Sequence, residues 1–189
     1  MSVKLVGANP IATLMVGSER HGVLSMWDVA WSVQGHGRAV LTWTTNDDAV
    51  RLYSPDPELG SWLATTFNRY FPEFAGLPPI GQPVDCTFTA WELGQDRAHF
   101  EVAASDGPTV VGSISKPLQT RPGYDPAMRL GPAQWALTNL LTFCDHAVLE
   151  VDGKPVAGRP STGTTDGKVH STAFIATHET WVRHPETRH

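Results

Sequence analysis

Five side chains in this chain are suited to proton transfer by type and setting: Asp28, Glu92, His99, Lys116 and His178. Asp28 stands out because of its neighbours. Residues 23 to 33 alternate as a strand does, with successive side chains on opposite faces. One face carries Val23, Trp27, Val29, Trp31 and Val33; the other carries Leu24, Met26, Asp28 and Ala30. Both faces read as buried, so the strand is expected to line an enclosed interior. A carboxylate in such a place must be paired, protonated or functional. Desolvation would suit it to general acid or base work. The competing reading is a structural tie to backbone N–H groups or to a cation.

The other four follow the same logic. Lys116 ends the row Val110, Gly112, Ile114. A desolvated amine there would attack carbonyls, whereas an ordinary strand-end lysine snorkels to water. Glu92 and His99 lie on adjacent strands of an expected hairpin and face each other across it. A carboxylate that orients a histidine is an acid–base unit; the alternative is an exposed cross-strand pair. His178 shares a strand face with Phe174, Ala176 and Val182, so it is expected to reach the interior and work with Asp28. The neighbouring Glu179 falls on the other face, with Ile175 and Trp181. Cys144-Asp145-His146 brings three reactive types together, yet adjacent residues diverge on any regular element.

The chain is rich in tryptophan, with seven among 189 residues, and poor in charge at 17% against roughly 25% in typical soluble domains. Such a surplus points to a ligand cavity or a subunit interface. The residues expected to wall a cavity are Met26, Trp27, Trp31, Trp43, Phe88, Trp91 and Phe174. No cofactor or metal is expected. C-x-x-C, H-x-H and H-E-x-x-H are absent, as are G-x-G-x-x-G and G-x-S-x-G. The segment from Thr162 to Lys168 has the flavour of a phosphate-binding loop, but it lacks the first glycine and the following helix. A net charge of −5 without any basic run makes nucleic acid an unexpected partner. No apolar run reaches membrane-spanning length, and no signal-peptide core is present, so a cytoplasmic location is expected. Cys86 and Cys144 read as free and buried.

The elements that must position these groups are mostly strands. One helix starts at Pro57 behind the cap Asp56, carries Leu59, Trp62, Leu63, Phe67 and Tyr70 on one stripe, and ends before Pro72. Strands over 84–93, 97–104 and 109–116 should form an antiparallel meander. Residues 117–131 read as loop from their prolines and glycines. A second helix is expected from Pro132 to Cys144. A hairpin turns at Asp152-Gly153, residues 158–169 read as a polar loop, and a long strand runs from His170 to Arg183. Residues 184–189 should form a frayed tail.

The fold class is therefore α+β and β-rich. A single domain over 1–189 holds a mostly antiparallel curved sheet or partly closed barrel of about eight or nine strands, with two helices packed on it. The function expected of it is cofactor-independent acid–base catalysis of an isomerase, cyclase, lyase or decarboxylase type. The substrate would be a small apolar or aromatic molecule in an aromatic-lined cavity. The alternatives are a non-catalytic carrier of such a ligand and a homodimeric interaction module.

Overall fold

The computed structural model describes residues 1–185. Among them lie fourteen strands and a single α-helix: β1 (Ser2–Ala8), β2 (Ile11–Val16), β3 (Glu19–Ser32), β4 (Gly35–Thr44), β5 (Val50–Tyr53), α1 (Pro57–Thr66), β6 (Ile80–Val84), β7 (Cys86–Leu93), β8 (Ala98–Ala104), β9 (Thr109–Leu130), β10 (Ala133–Val151), β11 (Lys154–Pro155), β12 (Thr162–Thr165), β13 (Lys168–Ser171) and β14 (Ala173–Arg183). Twelve strands form one sheet in the order β6-β5-β4-β3-β1-β14-β10-β9-β8-β7, with β2 bridging β3 and β14 and β11 on β10; β12 and β13 form a separate hairpin. Every pairing is antiparallel except β5 with β6. The two end strands follow each other in sequence through Asp85, which accepts from Ser105 N and Ser105 Oγ. The sheet thus coils until its ends meet at one residue, but no ladder joins β6 to β7 and it is not a closed barrel.

Two cores follow from this coiling. Inside the coil, Leu24 and Met26 of β3 pack with Val40, Phe100, Ile114, Cys144 and Ile175. On the opposite face, Val23, Trp27 and Val29 of the same strand pack with Leu41, α1 and the two 3-10 turns after it, Asn68–Tyr70 and Pro72–Phe74. β3 is therefore buried on both faces through its middle, as its composition predicts, while Ala30 and Trp31 reach solvent. Asp56 caps α1 by accepting from Glu58 N and Leu59 N at 3.0 Å each. Gly60 admits Ser54, whose Cβ would lie 2.7 Å from any Cβ added there. The helix stops at Thr66, and its apolar stripe continues into the 3-10 turns. A fully buried network locks this segment to the sheet: Trp27 Nε1 donates to Asn68 Oδ1 at 2.8 Å, and Asn68 and Asn9 both donate to Ser25 Oγ.

Several expectations are corrected. The second helix is strand β10, which pairs along its length with β9 and, over Trp135–Phe143, with β14. Leu137, Leu140, Leu141 and Cys144 mimic helical spacing because β10 carries apolar residues on both faces: Leu137 packs with the outer core and Cys144 with the inner one. The expected loop at 117–131 is the second half of β9. Beyond Ile114 it pairs with β10 alone, and an edge strand tolerates prolines whose missing donor faces solvent. The polar loop at 158–169 contains the β12–β13 hairpin, and the long C-terminal strand breaks at Thr172. The meander β7–β8–β9 and the hairpin at Asp152 form as expected. His184 is tied to Pro126 O at 2.9 Å; residues 186–189 of the expected frayed tail lie outside the described residues. Among the described residues no helix is long and apolar enough to cross a membrane.

Candidate functional site

The five acid–base candidates do not converge. Asp28 projects from β3 toward β7, where Trp91 Nε1 donates to its Oδ2 at 2.8 Å. Arg38 of β4 approaches the same oxygen at 3.7 Å and lays its guanidinium over the Trp91 ring at 4.8 Å. The Asp28 side chain keeps 34% of its surface exposed. The carboxylate therefore lies at the rim of the coil rather than in a sheltered interior, and it ties β3 and β4 to β7. Lys116 is exposed at a kink of β9, with φ of 60° and a register shift beside it. Glu92 and His99 do face each other in the β7–β8 ladder, but Glu92 is exposed and its carboxylate is 3.3 Å from Arg97 Nε.

His178 is turned outward, and the cause is local. Its φ is 53°, and β14 carries an extra residue against β10 between Thr177 and Thr180. This bulge exchanges the two faces. His178 becomes exposed and Glu179 enters the outer core at 4% exposure. Burial pushes the Glu179 carboxyl up to about 7, against the opposing effect of hydrogen bonds from Trp181 Nε1, 2.9 Å, and the Asn139 side chain. Glu179 is the acid that strand alternation misplaces; a bulge leaves no strong mark in sequence. It lines none of the four clefts described below. Burial lifts both the Cys86 and Cys144 thiols to about 11, with Asp85 and Asp96 adding to it, which disfavours the thiolate. Among the described residues no three His, Cys, Asp or Glu side chains cluster as metal ligands.

The residues expected to wall one cavity are divided among different environments. Trp27 is fully buried in the outer core, its ring 5.4 Å from Phe67, which in turn contacts Trp135 and Trp181 at 5.2 and 4.8 Å. Met26 is fully buried in the inner core. Phe88 and Trp91 meet edge to face at 5.0 Å at the rim. Phe174 lies beside Phe143, Trp43 donates to Asp47 O, and Trp31 is half exposed. Side chains fill the coil, and the space for a guest lies elsewhere.

That space is a half-open cleft of about 500 Å³ between α1 and the strap 77–83, within the range typical of small-molecule sites. Its apolar wall comes from Val50, Leu52, Ala64, Phe74, Leu77 and Ile80. Ser61, Thr65, Arg69 and Gln82 supply its polar groups. The strap owes its shape to Pro78, Pro79 and Pro83, which fix φ and remove backbone donors. Val50 N donates to Pro79 O at 3.0 Å and holds the strap to the sheet edge. Three other hollows differ from it. One beside His36, Arg38 and Phe88 is of similar volume, about 570 Å³, but more open; one beside Arg129 and His184 is smaller and mainly polar; one beside Asp47, Arg51 and Lys154 carries charges of both signs. No protein-family model matches the sequence, and no curated protein matches it either.

Proposed function

We propose that this protein binds a small, largely apolar organic molecule in the cleft between α1 and the 77–83 strap. The observation that supports the reading is the cleft's construction: buried Val50, Leu52, Ala64 and Phe74 beneath it, an exposed lining about equally polar and apolar, and rigid proline-rich geometry along one side. None of Asp28, Glu92, His99, Lys116 or His178 lines it, so the geometry favours the carrier over the acid–base enzyme. The buried thiols Cys86 and Cys144 suit a reducing compartment, and the cytoplasm is the proposed place of action.

The test uses N-phenyl-1-naphthylamine, a neutral apolar probe whose fluorescence rises on leaving water. Wild type should bind it saturably at a single site. Thr65→Trp fills the cleft from an exposed helix position and should abolish binding while leaving the melting temperature within about 2 °C, as surface substitutions do. Failure of wild type to bind the probe, or unchanged binding by Thr65→Trp, would overturn the proposal.

A further inference from the structure

Resting on the cleft reading above, we infer that the natural ligand is amphipathic and carries an anionic head, most simply a carboxylate, which pairs with Arg69. Among the residues that line the cleft Arg69 is the only one that is charged at neutral pH, and no carboxylate shares the lining with it. It follows the last turn of α1, in the 3-10 turn Asn68–Tyr70, and its guanidinium carbon lies 4.9 Å from the centre of the Tyr70 ring. Stacking occupies a face of the guanidinium and leaves the in-plane N–H donors for an oxygen pair, the geometry in which arginine reads carboxylates. Other arginines are differently employed. Arg38, Arg51 and Arg97 each sit against a carboxylate, and Arg20 donates to Ala75 O. Among the described residues Arg69 has no such ion pair. On the helix side of the same cleft Ser61 adds a hydroxyl, while the Thr65 hydroxyl is already given to Ser61 O at 2.7 Å. The apolar floor then takes the tail.

Decanoate, decanol and decylamine share one tail and differ in the head, and titration calorimetry at low ionic strength separates the possibilities. Decanoate should bind at least ten-fold more tightly than decanol, and decylamine most weakly. Arg69→Gln should cost decanoate about ten-fold and leave decanol unchanged, with Arg69→Lys recovering part of the loss and all variants melting alike. Equal affinities for decanoate and decanol, or no effect of Arg69→Gln, would overturn the anionic head while leaving the cleft in place. If none of the three binds wild type, the cleft reading itself falls and this inference falls with it.

Discussion

At the scale of single residues, the most consequential side chain is Glu179. A carboxyl pushed up to about 7 holds its proton in the folded chain at pH values where the unfolded chain, at its ordinary 4.5, has lost it. Its contribution is most favourable below pH 4.5 and is lost as the pH rises to about 7. Across that window the loss amounts to about 3 kcal/mol at most. Glu179→Gln keeps an acceptor for Trp181 Nε1 and removes the ionisation. It should therefore raise the melting temperature at pH 8 and leave it unchanged at pH 4.5, and a thermal scan of both proteins over that range checks the difference. Asp28 behaves differently. Its rim position and its ties to Trp91 and Arg38 make it a clasp between the end strand β7 and strands β3 and β4. Asp28→Ala should lose about 1 kcal/mol in denaturant unfolding, since the Trp91 donor loses a charged acceptor in a partly solvated place. A gain in stability would point instead to a carboxylate retained for chemistry at the expense of packing. Deep in the outer core, Asn68→Ala strands the Trp27 N–H and removes one of the donors to Ser25 Oγ, and should cost about 2 to 3 kcal/mol.

Elements show why parts of this fold were readable in sequence and others were not. The α1 start was legible because its signals are local: Asp56 as cap and Pro57 at the first position. Asp56→Ala should accordingly destabilise by about 1 kcal/mol. Strands with one buried face and short turns, β7 to β9 in their first turns of sequence, were legible from alternation. β10 was not, because burial on both faces erases the period of two that marks a strand. Nor was the outer half of β9, where prolines suggest a loop and instead guard an edge. Pro117, Pro122 and Pro126 punctuate that edge, and Pro122 stands opposite Leu140 in the ladder. A proline there withholds a donor that another chain could capture. Pro122→Val should leave stability within about 1 kcal/mol yet raise aggregation on prolonged incubation, as followed by light scattering. The candidate site was the least legible feature of all. Its walls come from α1, β5 and the strap 77–83, and no local pattern in any of them records that they face one another.

The whole molecule is a sheet rolled around one core and roofed by a helix over a second. Each long central strand serves both cores, so the proposed guest is assigned to the seam where α1 meets the sheet edge. The strap runs into β6, the last strand on its side of the sheet, and no further strand pairs with it. None of the acid–base groups lines that cleft, and this supports the proposal of binding rather than proton transfer. The most direct measurement is a set of backbone amide shift changes on titrating ¹⁵N-labelled protein with N-phenyl-1-naphthylamine. The large changes should fall on residues 61–69 and 77–83. Changes centred on Asp28, Arg38 and Trp91, or no localised change at all, would contradict it.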